Sequence, residues 1–405
     1  MRRWIMISAI YALAVYGGAV TAELYLMWRE RADLMAGAAG PIDTRRPIEV
    51  ALDLRQQGID AYPAMNPNTV MKRRARRAAE HPSAAADGLA PLAGVANTHT
   101  VFCREAPEYA FYEADEHGFN NPRGLWALPE IDIVAVGDSF AHGACVSPGQ
   151  DMMSLIRDHY PRALNLGYIN AGPLVELATL KEYAAPLRPK LVLWFYFEGN
   201  DEKNLKLEAR REAWRAYFSS AHTQRLIERQ AEIDRLLASV FDEMARSYRD
   251  RGRLAPLGEA WEAVSKVLDV RRVRYLIGLR LWNNELDEPD LMRRVFAEAR
   301  RVVAEWQGRI VLVYMPSRLR YMGYDREVRR LEETRRFLYR IAAELDLPVI
   351  SVLDALDRQD DPSALFADPP WLFQVHFKPE GYRVAADAVL EYLRHDTRLA
   401  QAAAR

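Results

Sequence analysis

The sequence predicts an α/β fold in which a mostly parallel sheet is covered by helices on both faces. Three observations carry that expectation. Five short apolar runs, rich in β-branched or aromatic residues, recur between positions 131 and 352. Stretches with helical spacing of apolar residues separate them, and strands that alternate with helices imply parallel pairing through crossovers. With 405 residues, half of them hydrophobic, the chain can bury a large core.

The first element is an apolar helix. Trp4 to Ala22 carries no charge, and Glu23 is followed by Leu24-Tyr25-Leu26-Met27-Trp28. A helix rising 1.5 Å per residue needs about 20 apolar residues to cross a bilayer. Trp4 and Trp28 suit the two interfaces. The apolar core of a signal sequence is shorter, about 7–15 residues, and Val20-Thr21-Ala22 matches a cleavage site only loosely. Residues 1–28 are therefore expected to form a single transmembrane anchor. Arg2, Arg3 and the α-amino group oppose Arg29, Arg31, Arg45 and Arg46 across it. The leading charges and the long following domain place the rest of the chain outside the cytoplasm.

Residues 29–95 read as a stalk or linker. A short amphipathic stretch at 48–55 gives way to Pro63, Pro67 and the basic run Lys72-Arg73-Arg74-Ala75-Arg76-Arg77, then to HPSAAADGLAPLAGVAN. The basic run reads as a solvated or lipid-facing segment. From residue 96 the βα rhythm starts. Strands are expected at 131–136, 163–166, 191–197, 309–314 and 347–352, with helices at about 150–160, 173–186, 324–345 and 379–394. Residues 201–305 interrupt this rhythm. They are rich in Glu, Arg, Ala and Leu at helical spacing, so a helical insertion is expected there, with a lid as one role for it.

Composition excludes several function classes. Lys+Arg at 55 balance Asp+Glu at 56, so no nucleic-acid partner is expected. Two cysteines outside any CxxC pair cannot build a disulfide scaffold or a four-ligand zinc site. No cofactor and no metal are expected, and oligomeric state is not readable.

The chemistry collects at predicted strand ends, where open parallel sheets place reactive groups. The first strand ends in Gly137-Asp138-Ser139-Phe140. The second runs into Asn165-Leu166-Gly167, and the third ends in Glu198-Gly199-Asn200-Asp201. His376 follows far downstream in Val375-His376-Phe377-Lys378-Pro379-Glu380-Gly381-Tyr382. A serine hydroxyl on a tight strand-to-helix turn becomes nucleophilic when an imidazole takes its proton. Asn200 offers an amide donor to a developing oxyanion, worth roughly 3–4 kcal/mol. Each signal alone is weak; their order along the chain makes them a joint signal.

These residues make the chain resemble the GDSL/SGNH hydrolase superfamily over roughly 100–395, through GDSF (137–140), NLGYINAGP (165–173), EGND (198–201) and HFKPEGY (376–382). The resemblance implies a flavodoxin-like three-layer α/β/α domain over 96–405, with Ser139 as nucleophile and His376 as general base. It implies an oxyanion hole from the Ser139 N–H, a block-two backbone N–H and the Asn200 side chain. The stretch from Asp115 to Pro122 resembles a lead-in of membrane-tethered bacterial members, which implies a bacterial inner-membrane protein with a periplasmic catalytic domain. Two positions depart from the pattern. The block-two glycine falls at Asn170, which tolerates the left-handed region, with Gly167 or Gly172 as alternatives. An aspartate is expected three residues before the histidine, and Phe373 stands there with Gln374 beside it. The base then works as a Ser–His dyad or is oriented by Asp368, Asp354 or a carbonyl.

Other candidates have bland readings. His142 is expected to pack rather than react, Asp138 to brace the turn, Glu198 and Asp201 to serve no metal, and Trp194–Phe197 to belong to the core. Cys103 and Cys145 are expected to form a disulfide; closing about 42 residues would stabilise by roughly 4 kcal/mol. The function expected is hydrolysis of an acyl ester, such as an O-acetyl group on a glycan of the envelope. Polysaccharide O-acetyltransfer and a catalytically weak glycan-binding scaffold are the alternatives.

Overall fold

The computed structural model describes residues 2–37, 43, 45–80, 88–103, 109–251, 264–265, 267–277, 290–367 and 376–396. Five parallel strands form the main sheet in the order β5-β4-β6-β7-β8. They are β4 (Ile133–Gly137), β5 (Ala163–Asn165), β6 (Leu191–Phe197), β7 (Arg309–Met315) and β8 (Val349–Ser351). All five lie where the apolar runs predict them. The order reverses between β4 and β6, so the open crevice falls at the carboxyl ends of these two strands.

Both faces of the sheet are covered, and the pleat sorts the side chains. Val134, Val136, Val192, Trp194, Tyr196, Leu312 and Tyr314 enter one apolar cluster. Their neighbours Ile133, Ala135, Leu193, Phe195, Val311 and Val313 enter the other. A period of two with both halves apolar is what a doubly covered sheet requires. The helix Pro379–Arg394 has proline in its first turn and buries Tyr382, Ala385, Ala386, Val389 and Leu393 against the second cluster.

The stretch read as a stalk is folded into the body of the protein. β1 (Ala61–Pro63) pairs in parallel with β2 (His99–Cys103), which pairs antiparallel with β3 (Ala110–Glu113). Val50, Ala51, Tyr62, Met65, Val70 and Leu89 to Val95 join the first apolar cluster. The physical reason is that the prolines and small residues here bound short elements and do not mark an extended linker. The basic run lies on the helix Pro67–Glu80, and Arg73 pairs with Glu243 at 3.2 Å.

Between β6 and β7 the described residues form helices and no strand, among them Asp201–Glu208, Gln230–Arg251 and Leu291–Ala304. The last of these packs on β7 and on the helix Pro173–Thr179, with Phe296 against Trp194. It is the crossover helix of the sheet, so the insertion ends before it. Gln230–Arg251 packs on the helices Pro47–Gln56 and Pro67–Glu80. Its described contacts therefore brace the N-terminal part of the fold.

The N-terminal helix, Arg2–Gly37, contains a stretch at Met6–Arg29 long and apolar enough to cross a membrane. Glu23, fully buried, accepts the backbone N–H groups of Arg272 (2.8 Å) and Val273 (3.0 Å) and pairs with the Arg272 guanidinium at 3.0 Å. The Tyr16 hydroxyl donates to the Leu268 carbonyl at 2.6 Å. The insertion thus returns to the N-terminal helix.

Candidate active site

Ser139 opens the short helix Ser139–His142, two residues beyond the end of β4. Asp138 caps that helix and accepts the Phe140 N–H at 2.9 Å. The turn is tight because Gly137 has no side chain: a Cβ there would lie 2.7 Å from Phe195 Cβ and 2.9 Å from Ala141 Cβ. The hydroxyl meets His376, with Nε2 2.7 Å from Ser139 Oγ. The histidine backbone is pinned by Ala367 and by a bridge between Phe366 and Phe377. Tyr382, from the same motif, donates to the Ala144 carbonyl at 2.9 Å and ties that segment to the serine helix. The two residues lie 237 positions apart in sequence and within one hydrogen bond in space.

Three polar groups face the same end of the sheet. The Ser139 N–H stands at the first helical position, where no carbonyl of its own helix can accept it. Asn170 is exposed, with a left-handed φ of 53°. Neither N–H is taken by an acceptor among the described residues. Asn200 lies three residues past β6, which pairs with β4, and its amide lies against the Asp138 carboxylate, favouring the anion. Burial nevertheless raises the Asp138 carboxyl to about 6.

The alternative glycines are already committed. Gly167 donates its N–H to Asn165 Oδ1 at 2.9 Å, and a Cβ there would lie 2.4 Å from Ala141 Cβ. It is a packing glycine, which corrects its reading as an oxyanion donor. Gly172 donates to Glu208 Oε1 at 2.7 Å. That leaves Asn170 as the free block-two donor among the three. Asp368, Phe373 and Gln374 lie outside the described residues. Asp354 is exposed on the helix Val352–Leu356.

Cys103 and Cys145 are joined as a disulfide, their Cα atoms 4.9 Å apart. The bond reaches the site itself, since Cys145 Sγ lies 3.6 Å from His376 Nδ1. Glu198 holds no metal position: its oxygens accept from Ser317 N, from Arg320 and from the Tyr314 hydroxyl. Trp194 donates to Glu176 at 2.6 Å inside the core.

Sequence reasoning missed what holds the serine turn. Buried Asp115 accepts from His117 N, Phe119 N, Asn121 Nδ2 and Trp126 Nε1, each at 2.8–2.9 Å. Asn121 continues to Asn165, accepting its N–H and donating to its carbonyl, both at 2.8 Å. Asn165 Nδ2 in turn donates to the Ala141 carbonyl at 2.7 Å. His142, fully buried, accepts the Ile169 N–H at 3.0 Å, beside Asn170, and shares a 2.9 Å bond with the Tyr112 hydroxyl. Burial drives its imidazole down to about 3, so it stays neutral. A signal for this network exists in the sequence: an aspartate whose side chain can bond N–H groups two and four residues on is an Asx turn.

No family model and no curated protein matches this chain. Solved structures do. A member of the lipolytic protein G-D-S-L family from Veillonella parvula is 13% identical, covering 66% of this chain and all of its own, at a TM-score of 0.36. The lipase/acylhydrolase from Enterococcus faecalis is 12% identical over 65% of this chain and 95% of its own, at 0.35. The acetyl xylan esterase AlAXEase is 10% identical over 65% and 99%, at 0.36.

Proposed function

We propose that this chain is a serine ester hydrolase working through an acyl-enzyme, and the 2.7 Å contact between His376 Nε2 and Ser139 Oγ carries that reading. In this scheme His376 takes the hydroxyl proton as Oγ bonds to the acyl carbon. The carbonyl electron pair moves onto oxygen, where the N–H groups of Ser139 and Asn170 and the Asn200 amide receive it. Collapse expels the alkoxide, which takes the proton back from His376. Water then attacks the acyl-enzyme with the same base, releasing the acid.

The anchor and the disulfide support an external location, because such bonds persist outside the reducing cytosol. We place the catalytic part in the periplasm of a bacterial inner membrane and assign it an acyl ester of the envelope, with an O-acetyl group on a glycan as the substrate class. The full chain in detergent should be tested on acetyl and longer acyl esters and on an acetylated polysaccharide. Ser139→Ala should lower the rate about 10³-fold or more. An undiminished rate overturns the assignment. Acetyl transfer to an added sugar faster than to water identifies an O-acetyltransferase instead.

A further inference from the structure

The disulfide beside the base has a second chemistry. Cys103 Sγ, Cys145 Sγ and His376 Nδ1 all lie within 4.8 Å of one another, and all three residues are partly exposed. Zinc binds thiolate sulfur at about 2.3 Å and imidazole nitrogen at about 2.0–2.1 Å, so tetrahedral coordination sets a sulfur-to-nitrogen edge of about 3.6 Å. The Cys145 Sγ to His376 Nδ1 distance is 3.6 Å. We propose that, once the disulfide is reduced, Cys103, Cys145 and His376 form a zinc site that switches the general base off.

The chemistry balances in two steps. A dithiol reductant gives two electrons and two protons to the disulfide, leaving two thiols and becoming a disulfide itself. Zn²⁺ then displaces the two thiol protons, the His376 ring proton passes from Nδ1 to Nε2, and the ion binds both thiolates and the Nδ1 lone pair so exposed, with water completing four ligands. The sulfurs must separate from bonding distance to about 3.8 Å, the sulfur–sulfur edge of the same tetrahedron. Cys145 sits at a φ of 66°, a conformation unfavourable for a residue with a Cβ. Cys103 ends β2 just past an irregularity in its pairing with β3.

The consequence for His376 follows from valence. A neutral imidazole bound to metal through Nδ1 carries its one proton on Nε2. Nε2 then presents N–H to Ser139 Oγ and cannot accept the hydroxyl proton. Oxidation restores a disulfide with no thiolate to offer the metal. The metal site stands on its own geometry; its effect on rate rests on the esterase reading.

The test uses the full chain in detergent, oxidised or reduced with a phosphine that does not bind metal. The reduced chain should take up one Zn²⁺ at micromolar concentration, read with a chromophoric chelator. Co²⁺ in its place should show a thiolate-to-cobalt charge-transfer band and tetrahedral d–d bands. Cys103→Ser and Cys145→Ser should each weaken zinc uptake by 10-fold or more. One equivalent of Zn²⁺ should lower the ester hydrolysis rate of the reduced chain at least 10-fold and leave the oxidised chain unaffected, with full recovery on chelation. Uptake with the cobalt bands but no hydrolysis in any state retains the metal site and rejects the esterase. Absence of stoichiometric uptake, equal inhibition of oxidised and reduced chains, or loss of the near-ultraviolet circular dichroism on reduction each overturns the proposal.

Discussion

Behind Ser139 and Asn170 the buried Asp115–Asn121–Asn165 network is satisfied, whereas the buried carboxyls behind Asn200 are not. Asp115 sits in the first region with four donors on its two oxygens. In the second, Asp201 accepts one N–H, from Phe197 at 2.8 Å, and its other oxygen has no partner among the described residues. Glu176 Oε1 and Asn204 Nδ2 are unanswered there in the same sense. Burial raises all these carboxyls, but at Asp115 every hydrogen bond opposes the rise. At Asp201 and Glu176 the neighbouring carboxylates add to it, so both sit well above the usual range. The Asp115 network is a scaffold of satisfied dipoles; in the other region burial and like charge favour the neutral carboxyl. A buried polar network gives rigidity only when its members are satisfied, and the serine turn and the Asn170 loop lean on the satisfied one.

Asn200 stands at the border of the two regions, and its removal should give the largest effect of any change in either, short of losing the nucleophile. Asn200→Ala should lower the ester hydrolysis rate about 10²–10³-fold through the loss of one oxyanion donor. Steady-state kinetics should place the loss in kcat, because the interaction strengthens only as charge develops. A loss confined to KM would mean that Asn200 binds substrate and does not stabilise the transition state.

A direct comparison pairs Asp115→Asn with Asp201→Asn. The first replaces an acceptor of four hydrogen bonds with an amide that turns a donor toward donors, and should cost about 3 kcal/mol. The second replaces a carboxyl that accepts a single N–H and that burial and neighbouring carboxylates push toward its neutral form, and should cost less than about 1 kcal/mol. Urea unfolding of the two variants beside the parent chain reads the difference. Equal losses would erase the distinction between the regions.

The same contrast marks what can be read in the residues. Four strands of the main sheet announce themselves because each is a β-branched or aromatic run, the short β5 (Ala163–Asn165) is marked only by its apolar Ala-Leu, and Pro379 marks its helix start. Ser139 is legible from its strand-end placement, whereas His376 follows no predicted strand and is legible only through the resemblance that its HFKPEGY motif carries. The small sheet does not announce itself: β1 is three residues ending in proline, and β2 and β3 are held by pairing more than by pattern. Leu291–Ala304 has a strong apolar face, but that face does not say whether it meets the sheet or another helix. In sequence Glu23 is only the end of an apolar stretch, since its partner Arg272 lies 249 residues away. Gly167 reads as a donor because every glycine carries an N–H, and only Asn165 beside it shows where that N–H goes.

The finest test lies at Glu208, which joins the region behind Asn200 to the loop after Asn170. Its carboxyl accepts the N–H groups of Gly172, Leu174 and Val175 and the amide of Asn68. Burial outweighs these bonds and raises it from 4.5 to about 7. The folded state therefore binds this proton more tightly than the unfolded chain does. The resulting stability is fully present below pH about 4.5 and lost as pH rises through about 7. A tenfold difference in proton affinity is worth about 1.4 kcal/mol, so the loss between pH 5 and 8 is about 2.5 kcal/mol. Glu208→Gln keeps an acceptor for the helix N–H groups and cannot titrate. Urea midpoints measured from pH 5 to 8 should fall more steeply for the parent chain than for this variant, the gap widening with pH. Parallel curves would show that Glu208 is ionised throughout, and that the three N–H groups of the Pro173–Thr179 helix start hold its charge as firmly as the Asp115 donors hold theirs.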